Sequence, residues 1–213
     1  MYKPIYLLIT LLVFSTVDLP TTLALQTGGA SLGSNQKAQI VSWTRFAPKD
    51  AGFTVLLPSA PKEAKDNSLL DSVSVPTVLY SANADGVKYF VGRIGDMPEK
   101  LVEKGRLDEW FNHADEIYFE YKTKDGKSGS TLKSQKDISL DGYAGREYEA
   151  DCGPYNKTDT QPCIVRMRVY KVGHSIFVIG LSGPTSILST EHINKFLQSF
   201  TLTPQVKSTV KSQ

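Results

Sequence analysis

The spacing of apolar and polar positions divides the chain into short extended runs and two helical ones. Residues 53–57, Phe-Thr-Val-Leu-Leu, read as a strand that Pro58 and Pro61 end, because proline has no ladder donor. Residues 69–82 are rich in Val, Ser, Thr and Tyr and predict one long strand, with a break or edge position at Pro76. Asp85-Gly86 is a hairpin turn, and residues 87–94 return from it. Leu107, Trp110, Phe111, Ala114, Ile117, Tyr118 and Tyr121 then form one stripe at helical period. Pro98 suits the first turn of that helix, and Gly105 marks a weak point, so the better helix begins near Arg106. Residues 131–140, 144–151, 163–172 and 175–181 predict four more strands, with turns at Asp141-Gly142 and Gly173-His174. Ser189 or Thr190 caps a last helix with the apolar face Ile193, Phe196 and Leu197, and residues 200–202 add a short terminal strand.

Ser-Ile-Phe-Val-Ile-Gly-Leu, residues 175–181, shows no polar alternation. A strand apolar on both sides needs cover on both sides, so it belongs in the middle of a sheet. The neighbouring connections are hairpins, which makes the sheet mostly antiparallel. The fold class expected is α+β: one domain of about six to eight strands, covered by helices on both faces.

The ends of the chain read differently. Lys3 precedes an uncharged apolar stretch, residues 4–17. That is short of the roughly 20 residues a membrane span needs and suits a secretory signal. Thr22-Leu23-Ala24 offers a cleavage site, so residues 1–24 are expected to be a signal peptide, with an uncleaved anchor as the alternative. Residues 25–42 are Gly-, Ser- and Gln-rich and read as a flexible linker; residues 204–213 read as a polar disordered tail. The folded domain is expected over residues 43–203.

Composition narrows the classes. Of 213 residues, 24 are Lys or Arg and 22 Asp or Glu, a net charge of +2, without the basic excess of a nucleic-acid binder. Hydrophobic residues at 40% exclude a largely disordered chain.

Cys152 and Cys163 are the two cysteines. They flank a polar loop between two predicted strands, and a disulfide between them fits an exported chain. It would stabilise by about 3 kcal/mol on the chain-entropy account. A redox pair or metal site is the alternative, against which stand the spacing, which is not Cys-x-x-Cys, and a loop without histidine. If the two cysteines lie directly opposite in an antiparallel pair, Glu149 faces Arg166 and Glu147 faces Arg168. On the other face Ala150 then meets Val165 and Tyr148 meets Met167. One assumption sets acid opposite base and apolar opposite apolar. Such pairs, expected to be exposed, contribute roughly 0.2–1 kcal/mol each and set register.

Chemistry-bearing patterns are sparse. His113, His174 and His192 are not at metal-ligand spacing and read as solvated or locally bonded. Gly180-Leu-Ser-Gly183 falls short of a nucleophile elbow, because position 184 is proline and Ser182 ends an antiparallel strand. Gly28-Gly29 has no strand before it. Arg166, Arg168 and Lys171 suggest a basic patch that Glu147 and Glu149 neutralise as a solvated ladder. Asp137, Asp141 and Asp151 lack the spacing of a calcium loop. Asn156-Lys-Thr158 is a glycosylation sequon within the cysteine loop. Trp110, Phe111, Tyr118 and Tyr121 read as core rather than a ligand platform. No catalytic, cofactor or metal residue is assigned.

Four further motifs occur in order. They are Trp43-x-Arg-Phe-x-Pro48 with Gly52-Phe-x-Val-x-Leu-Pro58, Leu140-Asp-Gly-Tyr-x-Gly-Arg-Glu147, Arg168-Val-Tyr-Lys-Val-Gly173 and Phe196-Leu-x-Ser-Phe200. Over about residues 43–203 the order resembles small exported bacterial proteins of unknown function with the PsbP-like fold, named for an extrinsic subunit of photosystem II. That resemblance implies an α/β/α sandwich with a non-enzymatic binding or assembly role. The Cys152–Cys163 insertion departs from the usual short hairpin, and no photosystem role or metal site transfers. The expectation is a periplasmic or secreted, non-catalytic accessory module. Its partner would be a protein or envelope component, not nucleic acid and, after signal removal, not a membrane. A hydrolase with a site assembled from dispersed residues, or a small-ligand carrier, is the alternative.

Overall fold

A computed structural model describes residues 42–70, 72–103, 111, 130–152 and 162–204. The expected signal, linker, tail, Gly105, His113, the sequon and most of the long helical stripe lie outside them.

Ten strands and two helical segments are described: β1 (Thr44–Phe46), β2 (Phe53–Leu57), β3 (Lys62–Leu70), β4 (Val73–Ala84), β5 (Val87–Ile94), α1 (Glu99–Val102), β6 (Ser130–Leu140), β7 (Tyr143–Cys152), β8 (Cys163–Val172), β9 (Ser175–Pro184), α2 (Thr190–Gln198) and β10 (Thr201–Leu202). Seven strands form one antiparallel sheet in the order β3-β4-β5-β9-β8-β7-β6, and β1-β2-β10 form a small second one. The hairpins follow local chemistry. Asp85 and Gly86 both take positive φ (50° and 78°), as do Asp141 and Gly142 (52° and 86°). That is the type I′ geometry whose twist matches the strands it joins.

The apolar run of residues 175–181 is β9, and it holds the middle of the large sheet with every one of those residues buried. Phe177, Ile179 and Leu181 point to one face. There they pack with Ile193, Phe196 and Leu197 of α2, and with Phe53, Val55 and Leu57 of β2. Ile176 and Val178 point to the other, among Val75, Ile94, Tyr148, Met167, Val169, Met97, Leu101, Val102 and Phe111. Ser189 caps α2 by accepting a bond from the His192 N–H at 3.2 Å.

Antiparallel α+β architecture is present; among the described residues, helices over both faces are not. The first face is covered by α2 together with the three-stranded sheet, because β2 and β10 carry their own apolar side chains there. On the second, the described cover is the single turn α1, Met97 before it and Phe111, the one described residue of the long stripe. Pro98 stands at the N-cap of that turn.

Two strands escape the apolar pattern. β3 is Lys-Glu-Ala-Lys-Asp-Asn-Ser-Leu-Leu, exposed over its first six residues, and lies at the sheet edge where no burial imposes alternation. The single strand expected over residues 69–82 is therefore the end of β3, a turn with Ser72 at φ 65°, and β4. Pro76 sits inside β4 and pairs with Asn67 of β3. Its carbonyl accepts from the Gly95 N–H on the β5 side, where the β4–β5 ladder has already ended at Thr77–Ile94. The missing proline donor thus falls where no strand asks for it.

Candidate functional site

The β7–β8 register is the one the cysteines predict: Cys152 opposite Cys163, Ala150 opposite Val165, Glu149 opposite Arg166, Tyr148 opposite Met167 and Glu147 opposite Arg168. Cys152 and Cys163 are joined in a disulfide with their Cα atoms 5.0 Å apart. Replacing both cysteines by serine should lower stability by about 3 kcal/mol while leaving the strand register intact. Urea unfolding followed by far-UV circular dichroism checks the first expectation, and cross-strand amide contacts by NMR check the second.

The charges along this hairpin are not the solvated ladder expected of them. Glu147 is 3% exposed, the deepest charged side chain among the described residues. One carboxylate oxygen accepts from Arg168 Nε at 2.6 Å. The other accepts from Arg166 Nη2 at 2.8 Å and lies 3.0 Å from Lys136 Nζ on β6. Arg166 also donates from Nη1 to Glu149 at 2.6 Å, and Arg168 from Nη1 to the Leu197 carbonyl in the last turn of α2 at 3.3 Å. A cation there also suits the negative end of the helix dipole. Burial by itself would raise the Glu147 carboxyl; the bonds from Arg168 and Lys136 and the neighbouring cationic charges outweigh it and hold it at about 2.

Gly145 begins this row because a side chain there would strike Tyr170, meeting Cδ1 at 2.5 Å, and the Val169 carbonyl at 2.6 Å. On the opposite face Arg146 bonds Asp137 at 3.0 Å and lies over the Phe111 ring, while Tyr148 donates from its hydroxyl to the Phe111 carbonyl at 2.7 Å.

The other sequence candidates are dispersed. His174, in the β8–β9 turn, holds the start of α1: Nδ1 lies 2.8 Å from the Met97 carbonyl and Nε2 3.2 Å from Glu99. Lys171, pushed down by burial, donates to the Val102 carbonyl at the other end of that turn. His192 lies on α2 beside Trp43, ring centroids 6.1 Å apart. Asp151 pairs with Lys133 at 2.7 Å and Asp141 occupies an exposed hairpin turn. Asp137 and Asp151, bonded to different partners, do not converge, and no metal-ligating group of three or more His, Cys, Asp or Glu occurs among the described residues. Ser182 lies within β9, opposite Lys88 on one side and Val165 on the other, not on a strand-to-helix turn.

Lys136 was legible, since a two-residue turn at Asp141-Gly142 sets it opposite Glu147. Two participants had no signal in the sequence, the Leu197 carbonyl and a cluster around Arg93 on β5. In the last, Arg93 donates to Ser175 Oγ at 3.1 Å and approaches Asp96 at 3.4 Å. Each brings together segments distant along the chain.

No family model matches the sequence, and no curated protein matches it. Among solved structures, the chain is similar to cyanobacterial PsbP (CyanoP) from Synechocystis sp. PCC 6803, at 16% identity and a TM-score of 0.49, over 81% of this chain and 99% of that one. The chain is also similar to PA94 from Pseudomonas aeruginosa, a protein of unknown function suggested to be a regulator, at 12% identity and a TM-score of 0.36, over 68% of this chain and 84% of that one.

Proposed function

We propose that this chain is an exported, non-catalytic binding or accessory module that acts outside the cytoplasm. The observation that carries the reading is how its charged groups are committed. The Glu147 carboxylate is engaged by Arg166, Arg168 and Lys136, and Arg168 also anchors α2 through the Leu197 carbonyl. His174 likewise faces the main chain at Met97 and the Glu99 carboxylate. These groups hold strands and helix in place, which suits a scaffold that presents a surface rather than one that turns over substrate. The disulfide supports an oxidising compartment, periplasmic or secreted.

The test is affinity capture of the purified protein from its own envelope fraction. A partner identified there must be rebuilt from pure components and give a saturable binding curve. Such a curve, with no turnover of an ester, peptide and glycoside panel, supports the module. Turnover by the pure protein replaces it with the hydrolase reading, and a co-purifying apolar small molecule replaces it with the carrier reading.

A further inference from the structure

We infer that the outer edge of β3 is a self-association surface, through which two copies of this chain join their large sheets into one. β3 ends the seven-strand order and pairs with β4 along all of Lys62–Leu70 without a register shift. Residues 62–67 are exposed. Edge strands are normally blunted by bulges, prolines or unopposed charge. The far edge, β6, carries such a bulge between Leu132 and Ser134, with Lys133 and Lys136 beside it. β3 has neither bulge nor internal proline.

Its charges do not simply repel a second copy. Lys62-Glu63-Ala64-Lys65-Asp66 is antisymmetric in charge about Ala64. An antiparallel pairing centred on Ala64 places Lys62 opposite Asp66 of the other copy and Glu63 opposite its Lys65. Each contact occurs twice by symmetry, and the small Ala64 meets itself at the axis. Neighbouring registers fail. A one-residue slip sets Lys62 against Lys65 or Glu63 against Asp66, and a two-residue slip sets Glu63 or Lys65 against itself. Opposite charges across strands favour pairing and like charges oppose it, so the sequence selects one register. Glu63 is already held in position by the Tyr80 hydroxyl and by Lys65, each at 3.0 Å. The contact is isologous, so it closes as a dimer. With a ladder of about five residues per copy it belongs among weak, small interfaces.

Sedimentation equilibrium of the full chain at up to about 0.5 mM tests this. In about 0.01 M salt, where charges act out to about 30 Å, a reversible dimer is expected; in about 1 M salt, where they act only to about 3 Å, the association weakens tenfold or more. The variants Lys62→Glu with Lys65→Glu, and Glu63→Lys with Asp66→Lys, should each be monomeric, and an equimolar mixture should form the heterodimer. A wild-type monomer throughout, a variant that still dimerises, or a mixture that stays monomeric overturns the inference. Should a variant fail to fold, zero-length carbodiimide coupling of the wild type decides. Lys62 and Asp66 of one strand are about 13 Å apart and cannot be joined directly, so a Lys62–Asp66 cross-link in the dimer band supports the pairing and its absence rejects it.

Discussion

Replacing Glu147 by glutamine is expected to lower the stability of the protein by about 3–5 kcal/mol, the range for breaking a buried ion pair from one side. The loss comes from what remains. Arg166 and Arg168, whose side chains are 24% and 18% exposed, would keep their charge without the carboxylate that both address. Lys136 is 64% exposed and can turn to water, so Lys136→Ala should cost about 1 kcal/mol or less. Exchanging Glu147 and Arg168 together for leucine and methionine should recover part of the loss, because it removes the Arg168 charge with its partner and leaves Arg166 its second carboxylate, Glu149. Urea midpoints of the three variants at neutral pH check the ordering. A Glu147→Gln protein as stable as wild type would mean that the cluster is hydrated and structurally idle.

The same carboxylate gives the protein an acid limit. Glu147 is held at about 2 against an ordinary 4.5, so the folded state binds the proton less readily than the unfolded one. Its contribution, about 3 kcal/mol at 1.36 kcal/mol per unit, is fully present above about pH 4.5 and disappears as pH falls through about 2. The wild type should therefore lose stability steeply across that window, and Glu147→Gln should show a flatter slope there.

How much of this was legible depends on which force sets each position. The hairpins of β6 to β9 carry their instructions locally: apolar runs, the Asp141-Gly142 and Gly173-His174 turns and a cysteine pair that sets the register. Opposite charges at Glu147 and Arg168 were legible for the same reason. Their burial was not, since it comes from α2, distant along the chain, settling over the sheet. β3 was illegible because an edge strand in water has no apolar period, and β1 because three residues hold no pattern. Cover by helices alone was over-read on the face that α2 shares with β2 and β10. Phe53, Val55 and Leu57 alternate as an inward face, but the sequence does not say that they face the large sheet as a separate layer.

That layer is where the second large effect is expected. Phe177 is fully buried on the central strand, between Tyr170 of β8 and Arg93 of β5. Its ring centroid lies 6.3 Å from Phe53 on β2 and 6.1 Å from Phe200 just before β10. It therefore joins the two sheets, and Phe177→Ala should cost about 3–5 kcal/mol, the sum of lost transfer energy and a cavity that rigid strands cannot collapse. Phe177→Leu keeps most of the volume and should cost about 1–2 kcal/mol. At roughly 2–4 °C per kcal/mol for a domain of this size, the alanine variant should melt about 10 °C or more below wild type. If the small sheet packs on Phe177 as observed, the amides of Phe53 and Leu202 should also lose hydrogen-exchange protection in the alanine variant before those of β7 do. Equal loss everywhere would mean that the two sheets open as one cooperative unit, and that Phe177 contributes to the whole core rather than to the joint between its layers.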